Sequence, residues 1–200
     1  MSTEPGAAQS DWSEDGYYDL CFAVERCRRY HAKMQAFYDW CYHLTRAATA
    51  LTGTASFFVL LAQGTEIAKY LTGIVAAAAA LDSVFRFNRK ARAHEALSRR
   101  FTDLSSKIAA WEPIPANLKR ARAERLKIEK DEPPVRRLVD LQAQNEECRS
   151  RGLPKIDLVP LNRAQRMFGY VFMFGMTRLE TWHEKHAATQ TAPADTEQRA

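Results

Sequence analysis

Residues 47–85 read AATALTGTASFFVLLAQGTEIAKYLTGIVAAAAALDSVF, and this stretch decides the fold of the 200-residue chain. Its first part, residues 47–65, is 19 residues long and carries no charge. The second part, residues 67–85, contains only Lys69 near its start and Asp82 near its end. A helix rises 1.5 Å per residue, so roughly 20 residues cover the ~30 Å hydrocarbon core of a bilayer. The stretch predicts two membrane spans that form a hairpin with a very short turn.

Basic residues flank this hairpin on both sides. Residues 26–46 hold five Lys or Arg side chains and residues 86–105 hold six, whereas the turn region has only Lys69. Because cytoplasmic flanks are enriched in basic residues, this asymmetry predicts that both termini lie in the cytoplasm and that the turn faces out. Five of these side chains are candidate contacts for lipid headgroups: Arg46, Arg86, Arg89, Lys90 and Arg92.

A soluble bundle is the alternative interpretation of the same stretch. Threonine and glycine dilute the first segment, and five consecutive alanines, residues 76–80, contribute little to membrane insertion. Overall, 46% of the residues are hydrophobic and 26% are charged, which is typical of a chain that folds. With only 8 Gly and 8 Pro, turns are scarce, so the composition favours an all-α fold over a many-stranded one.

Heptad patterns extend the predicted hairpin into the cytoplasm. In the helix predicted from Leu20, the seam positions are Leu20, Val24, Cys27, His31, Met34, Tyr38 and Cys41. In the helix that leaves the membrane they are Leu97, Phe101, Leu104, Ile108 and Trp111. Alternating steps of four and three residues place each set on one helix face. We therefore expect residues 20–112 to form a hairpin with an antiparallel, coiled-coil-like stalk.

The remainder, residues 113–188, is predicted to be a cytoplasmic helical region. Its helices are expected at 117–130, 135–151 and 162–187. The positions predicted to face inward are Leu118, Ala121, Arg125, Ile128, Leu138, Leu141 and Cys148, and Gly152 has the place of a C-terminal cap. The last helix contains 11 uncharged residues, 167–177, too few to cross a bilayer. We expect it to cover the bundle or to lie among headgroups, with Gly169 and Gly175 permitting close contact.

Both ends of the chain are expected to be disordered. Residues 1–19 contain five acidic residues and no Lys or Arg, so the remaining chain is strongly basic relative to the net charge of +5. Residues 189–200 are small and polar. The basic segments lack an interleaved array of aromatic residues that could stack on bases, so lipid or an acidic partner is expected rather than nucleic acid.

No catalytic, metal or cofactor site is predicted. The sequence lacks the common dinucleotide, phosphate-loop, hydrolase and zincin motifs, and its four cysteines form no CxxC. His183 and His186 are interpreted as a solvated helix end, and His94 with Glu95 as a stalk-surface or headgroup-facing pair. Cys27 and His31 lie on the heptad seam, where satisfied core positions explain them better than catalysis. The chain is therefore not expected to be an enzyme.

Two acidic residues are candidate polar positions of a pore. Asp82 lies four residues before Arg86, and an ion pair at the membrane boundary competes with a role in lining an ion path. Glu66, in the turn, would then be a charge at the outer mouth. Small residues four apart, namely Thr49 with Gly53 and Gly73 with Ala77, are candidate positions for helix packing and self-association.

The layout resembles the SLATT superfamily of two-transmembrane domains. The similarity rests on the basic helix 26–42, the stretches 47–65 and 67–85, and the basic exit RFNRKARAH at 86–94, and it covers about residues 20–150. Members of that group occur beside bacterial nucleotide-sensing conflict systems and are proposed to act as membrane effectors. The resemblance implies a location in a bacterial inner membrane, and it implies no catalytic residue.

Three functional hypotheses follow from the pattern and the resemblance. The first is a pore-forming or membrane-perturbing effector or signalling component of a nucleotide-linked defence system. It would act as a homo-oligomer of the hairpin, and a cytoplasmic sensor or nucleotide-signalling partner would trigger it. The second is a soluble or peripheral helical scaffold, and the third is a prophage-type membrane adaptor without a pore.

Overall fold

The computed structural model describes residues 14–61, 65–154 and 158–172, and it is all-helical in this part of the chain. The six helices are α1 (Glu14–Leu61), α2 (Thr65–Phe85), α3 (Phe87–Ala110), α4 (Pro115–Glu129), α5 (Arg137–Ser150) and α6 (Arg163–Phe168). The predicted all-α class is confirmed. The chain divides into two compact units, Met1–Pro133 and Pro134–Ala200.

The first unit is organised around α1, which is 48 residues long and packs against both α2 and α3. Contacts at three levels show that α1 and α3 are antiparallel. The Tyr17 hydroxyl donates to the Ile108 carbonyl at 3.5 Å, His31 contacts His94 at 2.9 Å, and the ring of Tyr38 lies 6.5 Å from that of Phe87. As the α1 residue number rises, the α3 number falls by the same amount, which confirms the predicted pairing of the two heptad seams.

The core of this unit lies between α1, α3 and α4. Its buried residues are Leu20, Val24, Leu97, Phe101, Leu104, Ile108, Leu118, Ala121 and Ile128. Trp111 ends α3 half-buried beside the core, and the guanidinium of Arg120 lies 4.6 Å above its ring. The inward positions predicted for α3 and α4 are thus confirmed, with Arg125 only half-buried.

A left-handed residue separates α2 from α3. Arg86 has φ 48° and ψ 52°, a conformation that costs roughly 1–2 kcal/mol for a residue with a Cβ. The packed face of α2 ends at Asp82 and that of α3 begins at Phe87, a step of five residues instead of three or four. A continuous helix would turn Arg89 and Arg92 towards α1. The left-handed residue compensates for this shift, so that Ala91 and His94 face α1 instead.

The second unit contains α5 and α6. Leu138, Leu141 and Cys148 are buried as predicted, and Gly152 has φ 71°, the left-handed conformation of a helix C-cap. The side chain of buried Asn145 bonds both the amide and the carbonyl of Val159, each at 2.8 Å, which fixes the segment between the helices.

Several predicted boundaries differ from the structure. Helix α1 begins at Glu14, not at Leu20, so at least residues 14–19 are not a disordered tail. Helix α6 ends at Phe168 and residues 169–172 are not helical, whereas the predicted continuation over 173–187 lies outside the described residues. A Cβ on Gly169 would lie 2.5 Å from the Gln165 carbonyl oxygen and 2.9 Å from Leu138, so this glycine does permit a close approach. The predictions for Gly175, for the histidines at 183 and 186 and for the tail 189–200 lie outside the described residues.

Candidate functional site: the apolar section of α1 and α2

The heptad seam of α1 continues without interruption into the apolar section. Beyond Cys41, its less exposed positions are Thr45, Ala48, Thr49, Thr52, Ala55 and Val59. The corresponding positions of α2 are Leu71, Val75, Ala78 and Asp82, again at steps of four and three. These two sets form the contact between α1 and α2, which we call the inner face. It consists mainly of small and polar residues.

Eight large apolar side chains described in the same section lie on the opposite, outer face. They are Leu44, Leu51, Ile67, Tyr70, Ile74, Leu81, Val84 and Phe85, all at least 44% exposed. Leu51 is 73% exposed and Val84 is 75% exposed. Water-soluble helices bury such side chains and expose polar ones, so this section has the reverse arrangement. One helical run in the described residues, Lys69–Ala110, is by length and composition apolar enough to cross a membrane.

The threonines of α1 need no water to satisfy their hydroxyl groups. Thr49 donates to the Thr45 carbonyl and Thr54 to the Ala50 carbonyl, both at 2.8 Å. Thr52 donates in the same way to the carbonyl of Ala48. Because these polar groups are satisfied within the helix, they are compatible with a hydrocarbon environment.

Asp82 lies at the end of the inner face and does not form the expected ion pair. Its Oδ1 atom is buried and has no hydrogen-bond partner, and no ion pair joins it to Arg86 in the described structure. The left-handed backbone at Arg86 ends the helical geometry that would bring side chains four residues apart together. The interpretation of Asp82 as the partner of Arg86 in an ion pair is therefore wrong. Its role as a pore position remains a prediction.

The other predicted positions of this section are exposed. Glu66 pairs with Lys69 at 2.7 Å, three residues on. Gly53, Gly73 and Ala77 are exposed, and a Cβ added to either glycine would meet no atom within 4 Å. These small residues are therefore not used in packing within the chain, and only Thr49 lies at the α1 and α2 contact.

Basic and aromatic side chains gather where the apolar section ends. Lys90 lies 5.5 Å above the Tyr38 ring and 5.6 Å above the Phe85 ring, while Arg46 bonds the Tyr42 hydroxyl at 2.8 Å. In the described residues, no carboxylate forms an ion pair with Arg86, Arg89 or Lys90. Further along α3 the basic side chains are paired with carboxylates.

Arg92 differs from the other predicted headgroup contacts. It bonds Glu95 at 2.7 Å, and this hydrogen bond lowers the pKa of the Glu95 carboxyl. Glu95 also pairs with Arg99 at 2.6 Å. Because its carboxylate partner belongs to the same helix, Arg92 is less available to a phosphate than Arg89 is.

A buried histidine pair is the feature that sequence reasoning misplaced. His94 does not lie on the stalk surface with Glu95. It is 4% exposed, and its Nδ1 atom lies 2.9 Å from Nδ1 of His31, which is fully buried. The Nε2 atom of His31 lies 3.1 Å from Oε1 of Glu132, in the turn after α4. The signal was present in the heptad positions, because a three-residue step before the seam position Leu97 reaches His94.

Burial keeps His94 and the nearby thiol of Cys27 neutral. Burial, and then the charge of His31, lower the pKa of His94 to about 4. Burial raises the pKa of Cys27, one turn before His31, to about 11, with Glu132 adding to the shift. Cys27 is thus an unreactive thiol at neutral pH. The described parts of the chain contain no group of three or more side chains that could hold a metal ion.

No protein-family model, curated protein or solved structure matches this chain. The fold and the candidate site together define an all-helical protein with a conventional helical core at one end of α1 and an exposed apolar section at the other.

Proposed function

We propose that this chain is a bacterial inner-membrane protein whose segments 47–65 and 67–85 cross the bilayer as a hairpin. The reversed arrangement of the apolar section carries this proposal. Most of the large apolar side chains described in this section point away from the chain, whereas Asp82, Thr45, Thr49 and Thr52 lie on the inner face. A bilayer is the solvent in which that arrangement is favourable, since it leaves apolar side chains in hydrocarbon and shields polar ones.

The basic and aromatic residues support the same placement. Lys90, Arg86 and Arg89 lack carboxylate partners in the described residues and lie just beyond the apolar section, where phosphate headgroups would be. Trp40, 61% exposed on α1, adds an interfacial aromatic residue at this end. Both termini, and the core formed by α1, α3 and α4, would then be cytoplasmic.

Fractionation and cysteine labelling test this topology. We expect the protein to stay with membranes through carbonate extraction. In spheroplasts, a membrane-impermeant maleimide should label Gln63→Cys, in the proposed turn. It should not label Lys127→Cys, at an exposed position of α4. The four native cysteines would also remain unlabelled, because all would lie in the cytoplasm. A protein that stays in the supernatant without detergent would instead be the soluble scaffold, and labelling of Lys127→Cys would contradict the orientation.

We infer further that the hairpin self-associates and perturbs the membrane as an effector or signalling component of a defence system. Exposed Gly53, Gly73 and Ala77 leave backbone accessible to a second copy, because no described part of the chain covers them. The unpartnered Asp82 oxygen would supply a polar position for ions, and Glu66 a charge at the outer mouth. The resemblance to the SLATT group supports an effector over an adaptor without a pore, and it suggests a cytoplasmic sensor or nucleotide-signalling partner as the trigger.

Membrane depolarisation upon overexpression tests the effector function. Asp82→Asn and Gly53→Leu should reduce depolarisation at equal membrane abundance, because the first removes the carboxylate and the second blocks close helix contact. Ser83→Ala, at an exposed neighbour of Asp82, is the matched control and should behave like the unmodified protein. If overexpression leaves the membrane potential unchanged, the adaptor without a pore becomes the better interpretation.

A further inference from the structure

The pair His31 and His94 has room for one hydrogen between its two facing nitrogen atoms. Their Nδ1 atoms are 2.9 Å apart, so one must donate and the other must accept. On its other side His31 Nε2 can donate to Glu132 Oε1 at 3.1 Å. Either His31 is charged and donates at both nitrogens, or it is neutral and accepts from His94. In the first arrangement, a further proton on His94 would make two N–H groups face each other. In the second, the further proton would enter at Nε2 of His94 and place a charge on a ring that is 4% exposed.

The surroundings offer compensation to His31 but none to His94. The His31 ring stacks on Phe101 at 5.6 Å, and the His94 ring stacks on Tyr38 at 5.6 Å, with Tyr30 at 6.2 Å from His94. On α3 itself, Glu95 is engaged by two arginines, and no carboxylate of the described residues bonds His94.

The charged groups near this layer come from three elements. From α1 they are Arg26 and the neutral thiol of Cys27, from α4 they are Arg125 paired with Glu129, and from the turn after α4 there is Glu132. Arg100 holds that turn in place by bonding Asp131 at 2.6 Å. The single carboxylate that reaches the pair is therefore bonded to His31, and a charge on His94 stays uncompensated.

We propose that His31, His94 and Glu132 form a proton-operated latch that holds α1 against α3 at neutral pH and releases this contact when His94 gains a proton. The latch joins the two helices that lead towards the apolar section, so its release would loosen the stalk close to that section. This proposal rests on the core of the first unit and not on the membrane topology, so the two can fail independently.

The size of the effect follows from the proton affinities of the closed and open forms. An accessible histidine has a pKa of about 6.5, whereas burial lowers the pKa of His94 to about 4. Between pH 7 and pH 5 the open form therefore gains protons and the closed form does not. The equilibrium constant for opening should rise about twentyfold over this interval.

Hydrogen exchange of the full-length protein in detergent measures this opening. Protection factors, corrected for the intrinsic pH dependence of exchange, are compared at pH 7 and pH 5 for peptides from residues 28–38 and 91–101. We expect protection to fall about twentyfold in the unmodified protein. His94→Gln can keep a hydrogen bond to His31 but does not titrate, so its protection should change less than about threefold. His43→Gln, at an exposed histidine of α1, is the matched control and should behave like the unmodified protein.

Equal pH dependence in the unmodified protein and in His94→Gln would overturn the proposal. A second measurement needs no variant and serves if His94→Gln does not fold. Imidazole NMR of the unmodified protein should show one histidine that stays neutral below pH 5. If every histidine resonance of the protein titrates near 6.5, the latch does not exist.

Discussion

The two ends of α1 share one seam but have opposite outer surfaces. Near its N-terminus, the seam buries Leu20 and Val24 against α3 and α4, and the surface opposite combines charged and aromatic side chains, such as Arg29 and Phe22. Beyond Cys41, the seam consists mainly of small residues and threonines, and the surface opposite carries Leu44 and Leu51. The first arrangement suits water, and the second suits the bilayer that we propose around this end of the helix.

This difference shows that the heptad pattern alone does not reveal the solvent around a helix. The pattern specifies which positions meet a partner, and both ends follow it. The residues outside the seam reveal the solvent, because they have no partner in the chain. Each of the following predictions compares a seam position with a surface position or one end of the stalk with the other.

The largest difference is expected between a core position and an outer-face position. Phe101 is fully buried, so Phe101→Ala should lower the free energy of unfolding by about 3–5 kcal/mol. Leu81→Ala removes an exposed side chain and should change it by less than about 0.5 kcal/mol in detergent. Chemical denaturation followed by circular dichroism measures both variants. Equal losses would contradict the assignment of Leu81 to the outer face.

The histidine pair should make stability depend on pH. The pKa of His94 is lowered from 6.5 to about 4 in the folded chain, so the unfolded chain binds more protons between these values. Its contribution to stability is complete above pH 6.5 and is lost as the pH falls towards 4. Between pH 7.5 and pH 4.5, we expect the free energy of unfolding to fall by about 2–3 kcal/mol more in the unmodified protein than in His94→Gln. Chemical denaturation of both proteins at both pH values measures the difference. An equal loss of stability in the two proteins would show that His94 does not cause the pH dependence.

Two adjacent alanines test the inner and outer faces of α2. Ala78 is 9% exposed against α1, whereas Ala77 is exposed. Ala78→Leu should lower the free energy of unfolding by about 1–3 kcal/mol because the inner face has no space for a larger side chain. Ala77→Leu should change it by less than about 0.5 kcal/mol but reduce chemical cross-linking between copies. The reverse order would show that the faces are assigned incorrectly.

The smallest effect is expected at the basic end of the apolar section. Arg89→Gln and Lys90→Gln should each weaken the binding of anionic phospholipid by about 1 kcal/mol, because their charges lack a carboxylate partner among the described residues. Arg99→Gln is the matched control, since Arg99 is already paired with Glu95. Native mass spectrometry of retained phosphatidylglycerol gives the comparison. If Arg99→Gln weakens lipid binding as much as Arg89→Gln does, pairing with a carboxylate does not determine which arginines bind lipid.

Much of the stalk could be predicted from sequence because periodicity directly reports which face is packed. Leu97, Phe101 and Leu104 are buried as their spacing indicates. Side chains with two plausible roles could not be placed in this way. His94 was assigned to the surface from its charged neighbours, but the seam position decided its location. The αL conformation of Arg86 was also missed, because no glycine or proline marks it.

The apolar section was only partly predictable for a different reason. Its length and lack of charge are visible in the sequence, but which residues face α1 depends on the change of phase at Arg86. Similarly, the helix that begins near residue 162 was expected to continue through Gly169. In the structure α6 ends at Phe168, and Gly169 just after it approaches Leu138 closely. Both errors arise from backbone geometry that side-chain patterns do not encode.

The change of phase at Arg86 also sets a rule for building chimeras of this protein. A different apolar segment could be grafted onto α3 only if its last packed residue lies five positions before Phe87 and a left-handed residue separates them. A graft with the ordinary spacing of four would rotate the donor segment by about one residue around its axis, roughly 100°. The joint would then present the wrong side of the new segment to α1, although every amino acid in it had been chosen correctly.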